Sequence, residues 1–335
     1  DRFVLSAGHG SMLLYGLLHL YGFPLSIEDL RQFRQLHSRT PGHPEYGHTA
    51  GVDTTTGPLG QGLTNAVGMA LAEARLRQEY GPGLCDHWTW VIAGDGCMME
   101  GITHEASSLA GHLGLGRLVV LYDSNHISID GRTELTFTED VAARYRAYGW
   151  IVSEVAGDDT AAVAAALQAA RADETKPKLI VCHTTIGAGS PKLAGSHKVH
   201  GAPLGPDEVA ATKRNIGLDP EQFFHVEERV YHHLRQRNGD RQTQRQAWEA
   251  RMAASEAGQA LARRYAGDFS QLDAEVVWPS QPAGTQLSTR KASEQAIQAL
   301  AKVVPGLIGG SADLAHSCFT DIAGSPYIGT HAYAG

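Results

Sequence analysis

Cysteine is scarce in this chain of 335 residues: Cys85, Cys97, Cys182 and Cys318 are all there are, and they stand far apart. No close pair fits a zinc site and no disulfide framework is in prospect, so the pattern points to a reducing, cytoplasmic compartment. Long hydrophobic runs are absent too. No stretch approaches the roughly 18 consecutive apolar residues that a membrane span requires, so no membrane partner is expected. Nor is there any excess of positive charge. With 28 Lys and Arg against 36 Asp and Glu the net charge is −8, the wrong sign for gripping a nucleic-acid backbone. Small anionic substrates are not excluded, because a few local Arg and His side chains suffice for them. Internal repeats and low-complexity tracts are missing as well. The chain begins at Asp1 without a Met or a signal-like segment, and this opening reads as the middle of a domain.

What is present is an ordinary globular composition, 42% apolar and 19% charged, with length for about two domains. Apolar runs of strand length fall at residues 88–93, 118–122 and 178–183. They are continuous rather than alternating, as parallel strands covered on both faces should be. Helical stripes lie around them. Residues 58–80 align Leu59, Leu63, Val67 and Leu71, and residues 99–113 align Ile102, Ala106, Leu109 and Leu113. Residues 141–148 and the Ala-rich 160–172 also read as helices. Strand and helix in alternation predict an α/β domain with a mostly parallel sheet flanked by helices, over residues 1–220. Residues 221–265 form a charged helical segment, and 266–288, with Pro279, Pro282 and Gly284, form a linker. From residue 289 a second α/β pattern opens, with a helix at 289–303, a short strand at 306–309 and a polar loop. Chains below about 70–80 residues rarely gain more than ~3–5 kcal/mol from a core of their own. Residues 289–335 are therefore expected to be the start of an incomplete second domain.

In open parallel sheets ligands bind beyond the carboxyl ends of the strands. The first apolar strand runs into Gly94-Asp95-Gly96 and the second into Asp123-Ser124-Asn125-His126-Ile127. A β-α-β connection brings Asp95 and Asn125 to neighbouring strand ends, although thirty residues separate them. Two oxygen-bearing side chains with a backbone carbonyl nearby suit a hard divalent cation such as Mg²⁺, which commonly shares its ligation with phosphates. Gly96 permits close backbone approach to a phosphate at a helix N-terminus. A lone Gly-Asp-Gly is most often a mere turn; its pairing with Asn125 reverses that reading and is similar to the thiamine-diphosphate fingerprint.

The neighbouring words narrow the resemblance. Asp95-Gly96-Cys97-Met98-Met99-Glu100-Gly101 leading into His104-Glu105-Ala106-Ser107-Ser108-Leu109-Ala110-Gly111 resembles the transketolase family. So do Ser6-Ala7-Gly8-His9-Gly10-Ser11, Thr40-Pro41-Gly42-His43-Pro44-Glu45 and Thr55-Thr56-Gly57-Pro58-Leu59-Gly60-Gln61-Gly62. Further matches are Thr185-Ile186-Gly187, Val199-His200-Gly201-Ala202-Pro203-Leu204-Gly205, Ser288-Thr289-Arg290-Lys291-Ala292-Ser293 and Gly309-Gly310-Ser311-Ala312-Asp313-Leu314. They occur in family order along nearly the whole chain; the stretch 321–335 is a weaker match.

The resemblance implies a thiamine-diphosphate-binding fold in which residues 1–220 are the diphosphate- and Mg-binding domain. It places the start of the pyrimidine-binding domain at 289–335. Asp95, Asn125 and the carbonyl of Ile127 would hold Mg²⁺, with Ca²⁺ or Mn²⁺ able to substitute. The amide of Gly96 and the side chain of Asn125 would meet the diphosphate. Gly57, Pro58, Leu59 and Ile186 would line the thiamine rings, with Pro58 expected at the first position of a helix. Gly57-x-x-Gly60-x-Gly62 is not a dinucleotide fingerprint, since its glycine order is wrong. His9 and His200 would lie near the diphosphate and the reacting carbon, His200 also acting in catalysis and touching substrate. His43 would contact substrate hydroxyls. A zinc site of His37, His43 and His48 is the rival reading, but its spacing fits no common motif. Arg290 and Ser317 would bind the sugar phosphate, Arg supplying a bidentate fork. Glu100 would be a buried interface carboxylate acting with a partner subunit, its rival reading being a surface-helix glutamate.

The implied activity is reversible transfer of a two-carbon ketol unit between sugar phosphates, of the pentose-phosphate or Calvin-cycle type, by a homodimer. The family begins upstream of residue 1, where another active-site His lies, and continues past residue 335 to the glutamate that protonates the aminopyrimidine. The chain alone is accordingly expected to show no ketol transfer. A dihydroxyacetone-synthase-like enzyme and a non-catalytic cofactor-binding module are the alternatives.

Overall fold

The three apolar runs become the middle of a five-stranded sheet. In the computed structural model, which describes residues 1–270 and 275–334, they are β2 (Thr89–Gly94), β3 (Leu118–Ser124) and β7 (Lys178–His183). Two edge strands that the sequence did not announce complete the sheet: β1 (Arg2–Leu5) and β6 (Ile151–Ala156). The order is β1-β2-β3-β7-β6, and every pairing is parallel. The apolar centre explains the arrangement, because Leu118, Val119, Val120 and Leu179 are fully buried while β6 at the edge keeps an exposed pattern. A separate antiparallel pair, β4 (Ile127–Ser128) and β5 (Gly131–Arg132), follows β3.

Helices cover the sheet. Those of the first part are α1 (Ser11–Leu20), α2 (Ile27–Arg31), α3 (Gln61–Tyr80), α4 (Asp95–Met99), α5 (Gly101–Leu113), α6 (Val141–Ala147), α7 (Thr160–Ala172) and α8 (Pro206–Asn215). α5 and the segment around α6 are locked together by Ser107, whose hydroxyl donates to Tyr145 while its carbonyl accepts from the Trp150 indole. α1 and α2 share a core of Leu5, Leu14, Tyr15, Leu18, Leu25, Leu30 and Val52.

Several expected boundaries move. Pro58 is not the first residue of a helix: α3 begins at Gln61, because Gly60 takes a left-handed φ of 80° that a helix cannot accommodate. The expected helix 99–113 instead starts at Asp95 and breaks at Glu100, whose ψ of 134° separates α4 from α5. The charged segment is helical only from residue 228, as α9 (Glu228–Ala254) and α10 (Glu256–Tyr265). The helix expected at 289–303 is α11 (Thr289–Ala301), followed later by the short α12 (Ala315–Cys318). No strand forms at 306–309. Pro305 and Gly306 make a turn there, closed by Leu307 N–H donating to Val304 O at 3.0 Å, and among the described residues no strand pairs with it.

The chain divides into two compact units, Asp1–Ala74 with Asp86–Arg245, and Arg75–Cys85 with Gln246–Gly335. The first holds the whole sheet. The second has a small cluster of Cys85, Met252 and Leu261 against Leu76, Tyr80, Leu84 and Trp248. Among the described residues no helix is long and apolar enough to cross a membrane.

Candidate active site

Strand register builds the site. Gly94 pairs with Asp123 and Ser124 with His183, so the carboxyl ends of β2, β3 and β7 finish level. Asp95 and Asn125 leave adjacent strand ends, as their sequence positions predict. Asp95 is buried, and its carboxylate is gripped from β3. The Tyr122 hydroxyl donates to Oδ1 at 2.7 Å, and the backbone N–H groups of Asn125 and His126 donate to Oδ2 at 3.1 Å each. Burial pushes the Asp95 carboxyl above its ordinary value, and these three donors pull the other way without cancelling it. Burial and the Asp95 charge together raise the Tyr122 phenol, which therefore stays protonated and remains a donor.

Among the described residues no Lys or Arg forms an ion pair with this carboxylate. A buried charge that lacks a partner is costly unless a cation joins it. The available donors are a carboxylate, the Asn125 amide oxygen and the Ile127 carbonyl, an all-oxygen set of the kind a hard divalent ion prefers. The Asn125 oxygen also accepts from Ile127 N–H at 3.0 Å, fixing that side chain in a tight turn beside Asp95. No group of three or more His, Cys, Asp or Glu able to hold a metal exists among the described residues. A cation here would thus depend on Asn125 and the carbonyl. The residues fit the group.

The histidines converge beside this corner. His9, in a one-turn 3-10 helix after β1, stacks on His200 with ring centroids 4.8 Å apart and planes 27° from parallel. Burial lowers the pKa of His9, the charges of His200 and His43 lower it further, and Asp123 opposes them. Burial lowers His200 too, against the pull of Asp95. Both rings are therefore neutral near pH 7, each with one donor and one acceptor nitrogen.

The loop carrying His43 comes up against Gly57: a Cβ added there would lie 3.4 Å from His43 Cγ. At Gly8 an added Cβ would meet Thr56 Oγ1 at 2.7 Å and Gly57 N at 2.9 Å, and at Gly96 it would meet Leu59 Cδ1 at 2.8 Å. Gly8 thus lies against residues 56–57, His43 against Gly57 and Gly96 against Leu59, approaches that sequence distance alone does not establish. Ile186 lies in the loop after β7, which packs beside Val199: a Cβ on Gly187 would sit 3.0 Å from Val199 Cγ2.

Glu100 borders the same loop, 2.8 Å from where a Gly60 Cβ would be. It is exposed in this chain, whereas the resemblance implies a buried interface carboxylate. In the second unit, Arg290 and Ser317 are adjacent. Arg290 Nη1 donates to the Ser317 carbonyl at 3.0 Å, and the guanidinium stands over Phe319 at 5.4 Å. Tyr122 belongs to no motif of the sequence: it is an aromatic of an apolar strand, three residues before Asn125, and only its contact with Asp95 marks it.

A family model described as "Transketolase, thiamine diphosphate binding domain" matches residues 1–269. Transketolase 2 of Xanthobacter flavus is 51% identical over 341 residues, covering 97% of this chain and 49% of its own. The transketolase of Geobacillus stearothermophilus is 50% identical over 345 residues, covering 100% of this chain and 52% of its own. Among solved structures, transketolase from Leishmania mexicana superposes with a TM-score of 0.95 at 45% identity, over 100% of this chain and 51% of that one. A Pichia stipitis transketolase in complex with sedoheptulose 7-phosphate gives 0.93 at 45% identity, over 99% of this chain and 52% of that one. The chain spans about half the length of the relatives it matches.

Proposed function

Since this chain belongs to the transketolase family, we propose that it forms the diphosphate- and metal-holding side of a ketol-transfer site. The reaction is movement of a two-carbon ketol unit from a ketose phosphate to an aldose phosphate, as in the pentose phosphate pathway. The observation that carries this reading is Asp95: a buried carboxylate at a strand end, surrounded by donors, with no Lys or Arg paired to it among the described residues, and next to Asn125.

Thiamine diphosphate, when bound, supplies the electron sink that lets a bond beside a ketose carbonyl break. The protein's part is to hold, orient and exchange protons. Asp95, Asn125 and the Ile127 carbonyl would hold Mg²⁺, or Ca²⁺ or Mn²⁺ in its place. The Gly96 amide and Asn125 would bind the diphosphate, and Gly57, Pro58, Leu59 and Ile186 would hold the rings. His200, neutral beside His9, is suited to hold or pass a proton at a substrate oxygen. His43 reaches the sugar hydroxyls, and Arg290 with Ser317 takes the sugar phosphate. Glu100, exposed here, meets a second subunit, which makes the complete protein a homodimer, and its compartment is the cytoplasm.

The test is calorimetric titration of thiamine diphosphate into a full-length enzyme carrying this chain, with and without Mg²⁺. The same titration is repeated on Asp95→Ala. Binding should require the metal and vanish in the variant. Affinity that is independent of both metal and Asp95 would remove the site assignment.

A further inference from the structure

The His43 ring makes no hydrogen bond among the described residues, so no polar contact of its own fixes where it stands and the placing of its main chain matters. That main chain is pinned from one helix face. α1 begins two residues after His9, and Ser11 and Tyr15, one turn apart and both fully buried, point at the His43 loop. Ser11 Oγ donates to the Gly42 carbonyl at 2.9 Å. The Tyr15 hydroxyl donates to the Pro41 carbonyl at 2.9 Å and reaches the His43 carbonyl at 3.2 Å. Three successive carbonyls, 41 to 43, are thereby tied to two hydroxyls spaced four residues apart, the spacing that stacks side chains on one helix face.

We propose that Ser11 and Tyr15 are positioning residues that hold His43 in register with His9 and so set the grip of the site on its sugar hydroxyls. This rests on the transketolase reading of His43. The loop on either side is anchored independently: Thr40 Oγ1 donates to Asp29 O and Thr49 Oγ1 to Arg39 O, each at 2.7 Å, and Thr56 N–H donates to Pro44 O at 3.2 Å. Losing the two hydroxyls therefore loosens residues 41–43 without freeing the whole loop, and Gly42 in the middle gives that short piece its freedom. Burial and the Glu45 charge hold the Tyr15 phenol up at about 12, so its O–H remains a donor at any working pH. Since α1 follows His9 directly, one rigid element carries the position of both histidines. A displacement of the order of an ångström carries an imidazole out of hydrogen-bond reach of a sugar hydroxyl.

The experiment is a double-mutant cycle in a full-length enzyme carrying this chain. Ser11→Ala and Tyr15→Phe, each removing one oxygen and little volume, are combined and assayed with His43 present and with His43→Ala. The pair should raise KM for the sugar substrates about 5- to 25-fold, at one ordinary hydrogen bond per hydroxyl. The kcat and the thiamine-diphosphate affinity should stay within about twofold. In the His43→Ala background the same pair should add less than about twofold. An equal penalty in both backgrounds would mean a general structural effect and overturn the proposal, as would a loss falling on cofactor affinity. No KM change in His43→Ala itself would overturn it as well. Absence of any ketol transfer by the unaltered enzyme would instead overturn the functional reading beneath it. Should the double variant lose its thermal transition, each single variant is read in the same cycle, with about fivefold expected.

Discussion

Replacing Asp95 by Asn separates the cost of the buried charge from its use. The amide has the same shape. Its oxygen can take the two backbone N–H donors that now reach Oδ2 at 3.1 Å, and its NH₂ would face Tyr122, whose hydroxyl can turn from donor to acceptor. What is lost is charge assistance in those bonds. What is gained is removal of an ionised group that its surroundings disfavour on balance, since burial outweighs the donors and raises its pKa. The cofactor-free variant should therefore melt at the same temperature as the parent at pH 7, or higher. The bound state behaves differently. A ligand at about 100 times its Kd stabilises by ~2.7 kcal/mol, and ~1 kcal/mol moves the midpoint of a 150–250-residue domain by about 2–4 °C. Thiamine diphosphate with Mg²⁺ should thus lift the parent by roughly 5–11 °C and leave Asp95→Asn unmoved.

The pH dependence has a definite sign. A carboxyl whose folded pKa is raised contributes most below its unfolded value of about 3.9 and loses that contribution as pH rises through the folded value. The parent's disadvantage relative to Asp95→Asn should accordingly grow with pH in the absence of metal. Scanning calorimetry of a full-length enzyme carrying this chain reads all three effects. A variant that melts several degrees lower without cofactor, yet keeps the Mg²⁺-dependent rise, would refute the reasoning.

Arg290→Ala should raise KM for a phosphorylated ketose about 10- to 150-fold more than for hydroxypyruvate, the worth of a charge-assisted hydrogen bond; equal effects in steady-state assays would move Arg290 out of a phosphate site. His200→Gln should bring the His9 pKa partway back toward about 6.5, because the His200 charge is second only to burial in depressing it. With a depressed folded pKa, His9 costs stability as pH falls through about 6.5, and the variant should lose less there. An NMR titration that finds the His9 pKa unchanged or lower would contradict the stacked arrangement.

The sequence by itself determined the parts whose cause is local. Continuous apolar runs made β2, β3 and β7 visible, because a strand buried on both faces needs no alternation. Gly94-Asp95-Gly96 and Asn125 were legible as strand-end chemistry, and Thr160–Ala172 as a helix through its alanines. The tertiary structure decided what depends on partners distant in sequence. β1, only four residues long, and the exposed β6 are strands because a neighbouring backbone offers hydrogen bonds, while residues 306–309 pair with no strand among the described residues and stay irregular. Gly60 and the break at Glu100 mark where one loop presses on another. The grip of Tyr122 on Asp95, the stacking of His9 on His200 and the hold of Ser11 and Tyr15 on residues 41–43 follow from strand register and helix placement. Those contacts span 27, 191 and about 30 residues of chain, and a motif, which records only neighbours along the chain, carries no trace of them.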